Sequence, residues 1–237
     1  MPEQLGKIER LEAEYFRQGK KIYLVPLVYC GKDAPDEYKE KCDCYWRQVT
    51  EQLANLAAKI GKVNRVYHES VFQCGEDGVK ALERLNPASY RIAKTQCDDG
   101  AVFETIEERE LLEEVMDWQR CLMLGFISGK VASKVSEAYV EAARKRNESM
   151  AKKISETLKN DEAGLLFVGE EHSLQFPGDV EVFTVFPPAL DEIHRWLRDQ
   201  TGMGSDKVRK GSEEETERES EGAEEKTKRG TKGEPEG

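Results

Sequence analysis

The sequence has little histidine, no long apolar run and no excess of positive charge. Its 237 residues include only three histidines, so a site built on imidazole has few candidate residues. The apolar runs fall far short of the roughly 20 residues that a transmembrane helix needs, so we expect no membrane span. Acidic side chains outnumber basic ones by 47 to 36, and the formal net charge is −11. This balance argues against binding to nucleic acids or anionic membranes, which select for Lys and Arg.

Several motifs that identify common enzyme classes are also absent. The sequence contains no phosphate-binding loop, no Gly-x-Gly-x-x-Gly dinucleotide motif and no Gly-x-Ser-x-Gly nucleophile elbow, which disfavours nucleotide-dependent enzymes and serine hydrolases. Residues 1–6 are polar and lack the apolar core of a signal peptide, so we expect a cytoplasmic location. The six cysteines are then expected to be reduced thiols, and their spacing matches no zinc ribbon or redox motif.

Short β-branched and apolar segments alternate with segments of helical periodicity. The pattern predicts strands over 22–29, 63–69, 101–105, 164–169 and 180–185. Between the first two strands, a helix over 35–60 completes a unit that is typical of parallel strands joined by a right-handed crossover. Pro26 removes one hydrogen-bond donor from the first strand, which predicts an edge position or a bulge.

These elements predict an α/β fold with a mostly parallel central sheet of about five strands, flanked by helices. Residues 107–160 are helical in pattern almost throughout, with a break at Gly125 and Gly129, so we expect an inserted helical hairpin. Residues 1–200 would form this single domain. Residues 201–237 contain no aromatic side chain and few large apolar ones, which predicts a disordered charged tail.

The strongest functional signal follows the fourth predicted strand. Glu170, Glu171 and His172 come directly after its apolar residues. Ligands in open parallel sheets bind at the carboxyl ends of the strands, and the second predicted strand ends in His68 and Glu69 at the same edge. A histidine with carboxylates can bind a divalent transition metal such as Zn²⁺ or Mn²⁺, or act as a general acid and base. The candidates at this edge are Cys30, His68, Glu69, Glu104, Glu170, Glu171 and His172.

A purely structural interpretation of these residues stays open. Glu170 and Glu171 would then solvate a surface loop, and His68 would pair with a backbone carbonyl group. Sequence alone does not decide whether any two of the candidates face each other.

Three segments carry a resemblance to a known superfamily. Residues 146–151 read Arg-Asn-Glu-Ser-Met-Ala and are followed by Ile154, residues 166–172 read Leu-Phe-Val-Gly-Glu-Glu-His, and Glu69 ends the second predicted strand. Together they resemble the superfamily that groups TraB/PrgY-like, Tiki-like, ChaN-like and erythromycin-esterase-like proteins. The first two segments are similar to its Arg-Asn-x-x-Met-Ala helix and its strand ending in Gly-x-x-His, and Glu69 matches more loosely a glutamate of its second strand.

The resemblance covers roughly residues 20–199 and implies a hydrolase, in which a divalent transition metal could assist. The implied catalytic residues are Glu69, Glu170, Glu171 and His172, and the implied metal ligands are His68, His172, Glu69 and Cys30. The first strand of the family ends in a further histidine, whereas this chain has Tyr29 and Cys30 there. That departure motivates the alternative function, a non-catalytic module that binds a small molecule or peptide on the same fold.

Overall fold

The computed structural model describes residues 18–200, which form a parallel five-stranded sheet and six helices. The strands are β1 (Lys20–Pro26), β2 (Val63–His68), β3 (Val102–Glu104), β4 (Ala163–Val168) and β5 (Val180–Thr184). The helices are α1 (Asp36–Lys59), α2 (Gly75–Leu85), α3 (Pro87–Asp98), α4 (Arg109–Met123), α5 (Gly129–Thr157) and α6 (188–200). The predicted α/β class, the strand number and the helical hairpin are confirmed. None of the helices in the described range is both long and apolar enough to cross a membrane.

The contacts divide the chain into two units, Met1–Ala189 and Leu190–Gly237. The described part of the first unit, residues 18–189, contains the whole sheet and helices α1 to α5. The described part of the second unit is helical, over residues 190–200. The tail predicted over 201–237 lies outside the described residues.

The strand order is β3-β2-β4-β1-β5, and every neighbouring pair is parallel. β4 therefore lies at the centre, with β1 and β2 on its two sides. Because all strands run in the same direction, their carboxyl ends meet at one edge of the sheet. This topology places the segments after β1, β2, β3 and β4 at one edge, where the sequence predicts the site.

The prediction that Pro26 marks an edge strand or a bulge is wrong. β1 lies inside the sheet between β4 and β5, and Pro26 is its last residue, opposite Val168. The next residue, Leu27, donates its N–H to the Val168 carbonyl oxygen at 2.9 Å. A proline at a strand end costs one donor without interrupting the ladder, so an interior strand can accommodate it.

The two faces of the sheet are covered by different helices. Alternate residues of β4 point to opposite faces, so Leu166 packs in a cluster with Met150 and Ile154 of α5. Phe167 lies on the other face, where its ring centroid is 6.3 Å from that of Trp46 in α1. The core therefore has three layers, with the sheet in the middle.

Gly78 of α2 lies so close to β3 that we expect Gly78→Ala to destabilise the fold. An added Cβ would lie 2.5 Å from the backbone oxygen of Gln73 and 2.5 Å from Cδ1 of Phe103. Overpacking of this kind typically costs about 1–3 kcal/mol, which exceeds the gain of up to about 1 kcal/mol in helix propensity. Urea unfolding measures the difference.

Gly129→Ala is the matched control, since Gly129 is also helical and nothing lies within 4 Å of an added Cβ there. We expect this variant to be as stable as the parent chain or slightly more stable. Equal stabilities for the two alanine variants would show that α2 can move away from β3 at little cost.

Candidate functional site

The loop after β4 separates two clusters of polar side chains at the carboxyl edge. Gly169 begins this loop, and a Cβ added to it would lie 3.4 Å from Oε1 of Glu69. This is an ordinary van der Waals distance, so the loop passes beside the carboxylate that follows β2. On the β2 side of Gly169 lies an ion-pair cluster, and on the β1 side lies a pocket.

Arg146 of α5 holds two carboxylates together on the β2 side. Its Nη2 atom lies 3.5 Å from Oε2 of Glu69, which follows β2. Its Nε atom donates to Oε2 of Glu107 at 3.1 Å, and Nη2 donates to Oε1 of the same carboxylate. Glu107 also accepts a hydrogen bond from the backbone N–H of Ser70 at 2.8 Å, and its side chain is 0% exposed. We call Glu69, Arg146 and Glu107 the edge triad.

The charged groups of the edge triad shift one another's pKa values. Burial raises the pKa of Glu69, and the positive charge of Arg146 and the N–H of Gly169 offset part of that rise. Burial alone would lower the pKa of Arg146, but its bonds to Glu107 and Glu69 raise it. Burial and the charge of Glu69 raise the pKa of Tyr29, which follows β1, to about 12. Its hydroxyl group therefore keeps its proton at neutral pH.

The side chain of His68 is buried, and both of its ring nitrogens bond to protein atoms. It is 0% exposed, its Nδ1 atom lies 2.5 Å from the Glu69 carbonyl oxygen and its Nε2 atom lies 3.1 Å from Oγ of Ser89. A carbonyl oxygen only accepts hydrogen bonds, so Nδ1 carries the hydrogen. Burial lowers the pKa of His68 to about 4, which leaves the ring neutral at pH 7. His68 therefore pairs with a backbone carbonyl group, as the purely structural interpretation of the sequence expects.

His172 and Glu170 belong to the pocket on the β1 side. The backbone N–H of Leu174 donates to Nδ1 of His172 at 3.3 Å, so the neutral ring carries its hydrogen on Nε2. Burial lowers the pKa of His172, which favours that neutral form. The pocket has a volume of about 290 Å³, and we call it the edge pocket. It is lined by Leu24, Pro26, Glu170, His172, Leu174, Phe176, Val182, Thr184 and Phe186.

Three of the predicted candidates lie apart from both clusters. Glu171 is exposed and does not line the edge pocket. Cys30 is exposed, and its Sγ atom lies 3.9 Å from the Gly31 carbonyl oxygen. Glu104 forms an ion pair with Arg65, which also binds Glu162 at 3.1 Å. The carboxylate of Glu104 therefore belongs to a separate ion-pair cluster with Arg65 and Glu162.

The residues predicted to bind a metal do not fit a metal ion. Within residues 18–200, no group of three or more His, Cys, Asp or Glu side chains is placed to hold one. Both ring nitrogens of His68 form hydrogen bonds to protein atoms, so neither is free to bind a metal ion.

Sequence reasoning missed Arg146 and Glu107 as site residues. Arg146 stood in the Arg-Asn segment that carries the resemblance, and its neighbour Asn147 donates to Oγ of Ser173 at 2.7 Å. Glu107 follows β3 as Glu69 follows β2, which is a positional signal. The helical periodicity after residue 107 hid that signal, because α4 begins only at Arg109.

The chain matches no protein-family model, no curated protein and no solved structure. The resemblance to the TraB-like superfamily therefore stays a prediction.

Proposed function

We propose that this chain is a divergent TraB/ChaN-like protein that binds a small organic ligand in the edge pocket. The observation that carries the proposal is the pocket itself, which is lined by the last residues of β1 and β5, Pro26 and Thr184, and by His172 and Glu170 after β4. The resemblance adds support, because the three segments that carry it contact one another at the carboxyl edge of the sheet. Glu69 and Arg146 are paired, and Asn147 binds the residue after His172.

The lining of the edge pocket indicates the chemistry of the ligand. Most of its walls are apolar, which favours a ligand with a hydrophobic body. The neutral ring of His172 offers an N–H donor, and the carboxyl group of Glu170 offers acceptors. At about 290 Å³, the pocket lies at the lower limit of roughly 300–1,000 Å³ for ligand sites. The expected ligand is therefore a small amphiphilic molecule with a polar end that both donates and accepts hydrogen bonds.

Hydrolysis is the second candidate function, and the lowered pKa of His172 favours it. A neutral imidazole beside a pocket can serve as a general base. For Nε2 to take a proton from water, however, the ring hydrogen would have to move to Nδ1, and the bond from the Leu174 N–H would be lost. Ligand binding requires no change of tautomer, so we favour ligand binding over hydrolysis. Glu69, with its raised pKa, is the carboxyl group best suited to acid–base chemistry on the other side of Gly169.

A cytoplasmic location belongs to the same proposal. All six cysteines lie within the described residues and are free thiols. Free thiols are typical of proteins in a reducing compartment.

A ligand screen with matched variants tests the proposed binding. Small esters, amides and alcohols would be screened by ligand-observed NMR against the parent chain, Glu170→Gln, His172→Gln and Glu171→Gln. Loss of one hydrogen bond typically weakens binding by about tenfold, so we expect that loss for the first two variants. Glu171 is the control, because it is an exposed neighbour outside the pocket, and its variant should bind within about twofold of the parent.

The same samples separate the two functions. Turnover of ester ligands that disappears in His172→Gln would favour hydrolysis, whereas saturable binding without turnover would favour the binding module. Hits that bind all four proteins equally would exclude the edge pocket as the site.

A further inference from the structure

Helices α4 and α5 form a hairpin whose outer part contains no buried residue. No residue from 116 to 141 is buried, whereas Val115 and Ala142 on the inner side of this segment are buried. The outer part of α5, residues 129–141, extends about 20 Å at a rise of about 1.5 Å per residue. The connection between the helices is therefore held well away from the sheet.

The tip of this hairpin is apolar. Met123 is 74% exposed, Leu124 is 82% exposed, and Phe126 and Ile127 are also exposed. The largest apolar patch on a soluble monomer is often a binding site. We call residues 123–127 the hairpin tip.

The charge around the hairpin tip is opposite in sign to that of the whole chain. Residues 118–136 contain Arg120, Lys130 and Lys134 and no carboxylate, while the whole chain has a net charge of −11. Arg120 is paired with Asp117 at 2.9 Å, and both lysines are on exposed positions of the first turns of α5. An apolar tip flanked by cations is complementary to a surface that combines negative charge with an apolar interior.

We propose that the hairpin tip inserts into the surface of a bilayer that contains anionic phospholipids. The exposed apolar side chains would enter the boundary between headgroups and acyl chains, and the flanking cations would contact phosphate groups. Such docking requires no membrane-spanning helix, and it does not depend on the edge pocket.

The negative charge of the whole chain does not prevent this docking. Exposed charges are screened over about 8 Å at physiological ionic strength, which is less than the reach of the hairpin. The local positive charge therefore governs the approach of the tip. The expectation against anionic membranes used the charge of the whole chain and did not consider where the cations lie.

A second copy of the chain is a less suitable occupant. Stable dimers bury roughly 800 Å² on each partner, whereas four side chains at a loop supply only a few hundred Å². Two tips brought together would also place their cations side by side.

Vesicle sedimentation with the full chain tests the proposal. The probes are phosphatidylcholine vesicles with and without roughly one-third phosphatidylserine. We expect binding to the anionic vesicles that weakens as salt is added, and much weaker binding to the neutral ones. Replacing both Leu124 and Ile127 by Asp should reduce binding at least tenfold. Lys130→Ala and Lys134→Ala should each reduce it by about fivefold.

Matched variants lie on the same helix but away from the tip. Val140→Asp changes another exposed apolar residue, at 63% exposure, and Lys152→Ala removes another exposed cation. Both should bind anionic vesicles like the parent chain. Circular dichroism confirms that each variant is folded.

Three results would overturn the proposal. One is no binding to anionic vesicles at low salt, and another is binding that the Leu124→Asp, Ile127→Asp double variant retains. The third is a parent chain that dimerises through the tip and binds no vesicles, which would assign the patch to a second copy.

Discussion

Replacing Arg146 by methionine should lower the free energy of unfolding by about 3–5 kcal/mol, because the variant leaves a buried carboxylate without its cation. Glu107 is fully buried and receives two hydrogen bonds from Arg146, and Glu69 is 15% exposed. Methionine keeps much of the side-chain volume, so the loss of stability measures the contribution of charge and hydrogen bonding. Urea unfolding of the parent chain and the variant gives the difference.

Arg144→Met is the control on the same helix. Arg144 forms ion pairs with Glu141 and Glu148, but all three side chains are about half exposed. Water replaces such pairs at little cost, so we expect the unfolding midpoint to stay within experimental error.

A double variant checks the cause of the Arg146 effect. Arg146→Met combined with Glu107→Gln removes the buried charge together with its partner and should recover part of the lost stability. If Arg146→Met alone unfolds like the parent chain, the edge triad does not hold α5 to the strand ends.

The second large effect concerns pH. We expect the parent chain to lose about 3 kcal/mol more stability between pH 7 and pH 4 than the variant His68→Gln. Burial lowers the pKa of His68 from 6.5 to about 4 in the folded chain. Below pH 6.5 the unfolded chain binds a proton that the folded chain does not, so stability falls with pH until the folded pKa is reached. The difference of the two pKa values, at about 1.4 kcal/mol per unit, gives the expected size.

Phe167→Leu is the control for this comparison. The Phe167 ring is packed near His68, with 5.5 Å between the ring centroids. Its replacement should lower stability at every pH without removing a titrating group. We therefore expect Phe167→Leu to keep the pH slope of the parent chain and His68→Gln to have a smaller slope. A parent-like slope in His68→Gln would mean that the folded chain protonates this ring.

The architecture could be predicted because it depends on patterns that are local in sequence. Helical periodicity over residues 35–60 became α1 at Asp36–Lys59, and the break at Gly125 and Gly129 became the turn of the hairpin. Parallel pairing followed from the helix between the first two strands. The misinterpretation of Pro26 has a different origin, because the position of a strand within a sheet depends on pairing between segments that are distant in the chain.

The sequence predicts a site at the carboxyl edge of the sheet, and the structure brings only some of its predicted residues together there. Glu69, Glu170 and His172 could be named because each follows a strand end. His68 stands in the same kind of position, yet its ring turns into the core toward Ser89. Arg146 lies 77 residues from Glu69 in the chain, and no local pattern signals that the two pair.

By itself, the sequence determined the α/β class, the helical hairpin and the edge where polar residues gather. These follow from hydrophobic periodicity and from the shared direction of parallel strands. Only the tertiary structure decided which of these polar residues face one another. Burial, ring orientation and ion pairing depend on neighbours that the chain brings together from distant positions, so the Arg146 carboxylate pairs, the buried His68 and the pocket around His172 became visible only in the folded chain.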